Sequence, residues 1–327
     1  FDHRVRTSLA VFWLLIYVFV NLTSVLYLGS LVLIKVMGVE LWQAVLGLAL
    51  FSAIYSVYGG LKAVAWTDVM QVTFLVIGGL ITTFLVLSEI GGSRGILAGF
   101  VNMLEQAPEK FDMILAREHP MYTYLPGLGA LLGGIWMANL YYFGCNQYII
   151  QRALAARDIR EAQRGVAFAG FLKLLLPILV VIPGIATYVL NADIARADDA
   201  YPWLLSNFVG PGLKGLVFAA LIAAIVSSLS SMTNSSSTIF TIDLYQPLIR
   251  KKASEKELVL TGRITSLVVL AIAVLIAPLL RNLDQAFQFI QDFTGYVTPG
   301  IGGNILGRVF LKKGYKEGWA DLGIIHI

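Results

Sequence analysis

Eight long apolar stretches, separated by segments holding Gly, Pro or charge, dictate what this chain can become. They cover residues 7–36, 40–58, 67–87, 127–154, 162–190, 212–245, 258–280 and 285–311. Each is near or above the roughly 20 residues an α-helix needs to cross a hydrocarbon core of about 30 Å. At that depth backbone donors and acceptors must be satisfied within the segment, which makes helices the spanning element. With 57% hydrophobic and 13% charged residues in 327, the chain lies outside the make-up of a soluble domain. The expected class is all-α, a polytopic membrane protein forming one transmembrane domain over residues 1–327.

The net charge of +4 could suggest a nucleic-acid partner, but its distribution points elsewhere. If the spans cross alternately and residue 1 lies on the cytoplasmic side, 16 of the 24 Lys and Arg residues fall on the inner side. Seven fall on the outer side or at the outer end of a span, and one, Lys173, falls deep within a span. This is the positive-inside pattern, which supports the span count and makes a nucleic-acid partner unnecessary. The long outer loops, 88–126 and 191–211, are expected to carry short surface helices at 96–106 and 200–208.

Several function classes find no residues here. A single cysteine, Cys145, excludes an internal disulfide, and His3, His119 and His326 are too scattered for a zinc constellation. No His, Cys or carboxylate pair is placed in the spans for enzymatic chemistry. The sequons at Asn21 and Asn234 lie inside apolar spans, where glycan addition does not occur. Phe1 opens a basic run leading directly into a helix, the pattern expected of a fragment rather than of a signal peptide.

The sixth stretch, GLKGLVFAALIAAIVSSLSSMTNSSSTIFTIDLY, holds nine Ser or Thr between Ser227 and Thr238. Small hydroxyl residues serve close helix packing, and hydroxyl and carbonyl oxygens also suit a dehydrating alkali cation. Ala224, Ser227 and Ser228 share a face by i, i+3 and i+4 spacing, so one carbonyl and two hydroxyls could contribute to a sodium site. Two other stretches look discontinuous: Asn139, Gly144, Asn146 and Gln147 interrupt 127–154, and TGYVTPGIGG interrupts 285–311. Broken helices mark the binding sites of secondary transporters, although packing alone also produces kinks.

Lys173, about ten residues and thus roughly 15 Å into its span, is costly near the midplane and needs either a structural partner or a solute. Asp68, opening WTDVMQV, can be a helix N-cap or can attract a departing cation. Asn139, Tyr142 and Gln291 supply neutral donors and acceptors for a polyhydroxylated or zwitterionic solute. Tyr141, Tyr142, Phe143 and Phe287 offer flat faces for a sugar or for ordinary packing.

YGGLKAVAWTDVMQ, NLYYFGCNQYIIQRALAARDIREAQRGVAFAGFLK, FAALIAAIVSSLSSMTNSSSTIFTIDLY and AFQFIQDFTGYVTPGI resemble the sodium/solute symporter family, most of all its bacterial sodium/galactose, sodium/glucose-type members. The resemblance implies a leucine-transporter-like inverted-repeat bundle with alternating access, represented here by about the third to tenth core helices. The early helices are not part of that match. It makes Asn139, Tyr142, Lys173 and Gln291 the sugar-binding residues, with Tyr142 the inner gate and Phe287 an outer one. It makes Ala224, Ser227 and Ser228 ligands of the coupling sodium ion, and Asp68 a carboxylate on the sodium exit route. Phe143 stands where the resemblance leads one to expect Trp. The expected function is sodium-coupled sugar symport in a bacterial inner membrane. The same fold carrying proline, pantothenate, sialic acid or a monocarboxylate is the rival, and a substrate-gated sodium channel or sensor without coupled transport is another.

Overall fold

The computed structural model describes residues 3–120, 122, 127–195, 197–282, 290–293 and 295–296. Among them there are helices and no strands. The first stretch forms α1 (His3–Leu15) and α2 (Thr23–Met37), joined without a break by a π-helical segment, Ile16–Leu22. Gly38 ends this rod in the left-handed region at φ 69°, and its N–H bonds the Ile34 carbonyl. Glycine enters that conformation without a Cβ clash, which is why the helix stops there.

Helix α3 (Leu41–Gly91) is 51 residues long, about 77 Å at the helical rise and far more than one bilayer core. Its contacts show that it does not run straight. Leu48 and Ile225 both approach Gly29, and Ser52 meets Ser230. Asp68, further along α3, meets Ser227, and Gly78 lies against Val217. The early half therefore follows α11 (Pro211–Thr238) in one direction and the later half returns beside it in the other. The reversal falls between Ser52 and Asp68, where Gly59 and Gly60 lower the cost of bending. The second and third apolar stretches thus remain separate crossings although hydrogen bonding joins them.

Helix α4 (Gly95–Gln106) folds back on the end of α3. A Cβ on Gly99 would sit 1.9 Å from the Leu87 carbonyl oxygen, so only glycine allows this approach. The fourth stretch is broken as expected, into α5 (Leu128–Gly133), α6 (Ile135–Cys145) and α7 (Gln147–Leu154). The fifth gives α8 (Ile159–Lys173) and α9 (Ile182–Val189), with a π-helical segment, Pro177–Val181, between. Pro177 lacks an N–H and its ring crowds the carbonyl four residues back, that of Lys173, where α8 ends. Helix α10 (Ala200–Phe208) is the expected second surface helix. Helix α12 (Glu255–Ile276) is N-capped by Ser254, whose side chain accepts from the Glu257 N–H.

Five helical runs are long and apolar enough to cross a membrane among the described residues: Arg6–Met37, Asp68–Gln106, Ile159–Val189, Gly212–Ile249 and Glu255–Arg281. A shorter apolar helix, Leu41–Val57, adds the second expected crossing. The eighth expected span and Phe287 fall almost wholly or wholly outside the described residues. The core joins Tyr17, Leu22 and Leu26 with Leu48 of α3, Leu229 of α11 and Leu270 of α12. By contrast α8 exposes Val166, Phe168 and Phe171, the kind of apolar surface that lipid solvates. The protein is a multi-pass membrane protein.

Candidate functional site

The hydroxyl-rich half of α11 sorts into two groups. Thr233 donates to the Leu229 carbonyl at 2.7 Å and Ser236 to that of Met232 at 2.9 Å. Ser237 donates across to the Gly262 carbonyl of α12 at 2.7 Å. These serve helix packing and self-satisfaction. The second group faces charge: Ser227 Oγ donates to Asp68 Oδ1, and Ser231 Oγ donates to the Ser227 carbonyl at 2.8 Å.

Asp68 is not a helix N-cap. It lies inside α3 and uses its other oxygen to accept from Arg152 Nε at 2.7 Å. Arg152, in the last turn of α7, also donates through Nη2 to Ser231 Oγ at 2.6 Å and through Nη1 to the Tyr148 carbonyl at 3.0 Å. Gln151 beside it donates to the Tyr148 carbonyl at 3.1 Å. Side-chain exposures of 20% for Asp68 and 33% for Arg152 leave the pair less screened than a surface ion pair. One guanidinium thus ties α3, α7 and α11 together.

Just before α7 the backbone leaves the helix at Asn146, with φ −77° and ψ 120°. Its buried Oδ1 accepts from Tyr17 OH at 2.5 Å, clamping the break to the α1–α2 rod. Tyr142, half-buried on α6, bridges the same break, its hydroxyl 2.5 Å from that of Tyr148. Phe143 meets Tyr142 edge-on at 5.1 Å between centroids, and Lys173 Nζ lies 4.1 Å above the Phe143 ring. Lys173 ends α8 and is exposed, with its charge on an aromatic face and at the negative pole of a helix.

The structure therefore gathers some of the expected residues and leaves others apart. Asp68 and Ser227 touch, while Ala224 is half-buried and Ser228 is exposed, so burial falls off along the expected ion site. Tyr142 and Lys173 share Phe143 as a neighbour. Asn139 is exposed and donates to the Ile135 carbonyl of its own helix at 2.8 Å. Gln291 is exposed on a short helical stretch, 290–293. Among the described residues no hydrogen bond joins these four sugar candidates to one another. A cavity of about 500 Å³ lies elsewhere, lined by Tyr27, Lys35, Glu40, Trp42, Asp199 and Arg281 among others, and by no expected site residue. Sequence reasoning missed Arg152, Tyr148 and Ser231. By sequence Arg152 is one of the 16 inner-side basic residues, and Tyr148 and Arg152 sit four apart on one face of α7.

A family model for the sodium:solute symporter family matches residues 1–325. A sodium/glucose cotransporter of Vibrio parahaemolyticus is 52% identical over 99% of this chain and 63% of its own length. Sodium/myo-inositol cotransporter 2 of Homo sapiens is 32% identical over 96% of this chain and 50% of its own length. Sodium/glucose cotransporter 1 of Ovis aries is 29% identical over 96% of this chain and 52% of its own length. This chain thus spans about half to two thirds of the curated relatives it matches. The fold is similar to that of a substrate-bound, outward-open sodium-coupled sialic acid symporter, at a TM-score of 0.74 and 21% identity, covering all of this chain and 73% of that one. The matched family and the relatives are cotransporters and symporters, not enzymes. On the match across residues 1–325, this chain belongs to the sodium:solute symporter family.

Proposed function

We propose that this protein carries out sodium-coupled symport of a neutral hexose of the galactose or glucose type, by alternating access across a bacterial inner membrane. The observation that carries the reading is the 52% identity, over 99% of this chain, to a Vibrio sodium/glucose cotransporter. The contact between Ser227 and Asp68 supports a cation path. In this reading the Ala224 carbonyl and the Ser227 and Ser228 hydroxyls hold sodium, other elements complete the coordination, and Asp68 receives the ion on its way inward. The residue 1 end is cytoplasmic.

Asn139, Tyr142, Lys173 and Gln291 bind the sugar, Tyr142 closes the inner side and Phe287 the outer. Tyr142 is fit for an inner gate because its partner Tyr148 lies across the helix break at Asn146, so a change in angle between α6 and α7 parts the two hydroxyls. Sodium bound at α11 favours the outward-open state, so the hexose binds more tightly when the ion is present. Coupling is then one shared conformational equilibrium.

The test is equilibrium binding of radiolabelled galactose to the purified protein in sodium and in potassium, with hexoses, sialic acid and proline as competitors. Sodium-enhanced binding displaced by hexoses alone supports the reading. Absence of sodium-enhanced galactose binding, beside sodium-dependent binding of labelled sialic acid or proline, moves the cargo to an anionic or zwitterionic solute.

A further inference from the structure

We infer that Arg152 is the internal cation of the sodium path, a positioning residue that competes with sodium for Asp68 and ties release of the ion to the break between α6 and α7. The inference rests on the symport reading and adds a residue and a role to it.

Both oxygens of Asp68 are engaged: Oδ2 accepts from Arg152 Nε at 2.7 Å and Oδ1 accepts from Ser227 Oγ. A cation binding this carboxylate therefore competes with the guanidinium for the same negative charge, and a returning guanidinium weakens its hold on the cation. The exchange costs little net charge burial, because one positive charge replaces another beside a partly buried carboxylate. A neutral donor in place of Arg152 would leave Asp68 as an uncompensated charge that holds sodium.

The other donors of Arg152 give the exchange a mechanical consequence. Nη1 bonds the Tyr148 carbonyl at 3.0 Å and Nη2 bonds Ser231 Oγ at 2.6 Å. Ser231 in turn holds the Ser227 carbonyl at 2.8 Å, and Tyr148 OH meets Tyr142 OH at 2.5 Å. A guanidinium pushed off Asp68 pulls on the first turn of α7, next to the break at Asn146. The path from Ser227 to Tyr142 runs by hydrogen bonds through Ser231 and Arg152 to the Tyr148 carbonyl, and then along the Tyr148 side chain to its hydroxyl. Lysine, a point charge on a flexible stem, cannot span Asp68, Ser231 and the Tyr148 carbonyl at once.

The experiment measures the sodium half-saturation of hexose uptake and of ²²Na⁺ equilibrium binding for wild type, Arg152→Gln and Arg152→Lys, in the purified protein and in proteoliposomes. Arg152→Gln is expected to tighten sodium half-saturation by about fivefold, the scale of an ordinary coupling between sites, while lowering maximal uptake. Arg152→Lys is expected to shift it less in the same direction, and it serves alone if the neutral variant does not fold. A residue needed only for packing would weaken sodium binding or leave it unchanged, and either result overturns the inference. Sodium-stimulated uptake by wild type with an unmoved midpoint in the variants rejects Arg152 alone. Absence of any sodium stimulation in wild type rejects the symport reading and this inference with it.

Discussion

Ser227 and Ser228 are neighbours in sequence and opposites in surroundings. Ser227 is buried against Asp68 and Ser228 is exposed. Removing the Ser227 hydroxyl deletes both a candidate sodium ligand and the donor on Asp68 Oδ1. Ser227→Ala is therefore expected to raise the sodium concentration for half-maximal uptake by about tenfold, the range of one hydrogen bond to a charged group. Ser228→Ala should shift the same midpoint upward if its hydroxyl ligates the ion. A sodium-activation curve for each variant checks both, and an unchanged curve removes that residue from the site. At Lys173, the ammonium above the Phe143 ring predicts that Lys173→Met raises the hexose half-saturation and leaves that for sodium nearly unmoved. Equal losses in both would place Lys173 in the structural frame instead. Asp68 was recognisable as a carboxylate that could attract a cation, but its place at the opening of the third stretch also read as an N-cap, which its position inside α3 overturns. Its partner was not recognisable, because Arg152 is 84 residues away and one-dimensional spacing cannot bring two helices together.

Elements were more legible where local chemistry decides them. The break in the fourth stretch followed from Gly144, Asn146 and Gln147, and the end of α8 follows from Pro177, because a missing donor acts on its own helix. The bounds expected for the second surface helix coincide with Ala200–Phe208, since a Gly-Pro pair follows it and Asp residues precede it. The course of α3 was legible only in part: the sequence separates two spans at Gly59 and Gly60, while the helical backbone continues from one crossing into the next. Gly99 carries the sharpest element-scale expectation. Its absent Cβ leaves room for the Leu87 carbonyl oxygen, which a methyl would reach at 1.9 Å, so Gly99→Ala must pry α4 from α3. A loss of about 1–3 kcal/mol in stability is expected, as for other overpacked contacts. Gly215→Ala, with open space around the new methyl, should be close to neutral or slightly stabilising within α11. Thermal unfolding of the two variants in the same detergent makes the comparison, and equal melting temperatures would refute the close approach.

For the whole molecule, composition and span count were sufficient to place the chain in a membrane, and the family match across residues 1–325 agrees with the resemblance in its motifs. How the helices meet was beyond the sequence: two crossings of α3 lie along α11, and one arginine joins the later of them and α11 to a broken helix. In the symport reading proposed above, that arrangement makes ion and sugar occupancy parts of one equilibrium instead of two independent bindings. Radiolabelled galactose uptake into proteoliposomes under an inward sodium gradient, with potassium substituted in the control, tests this most directly. Accumulation above equilibrium with sodium and none with potassium is the expected result. Galactose entry that merely equilibrates, or that is the same in potassium, would contradict it.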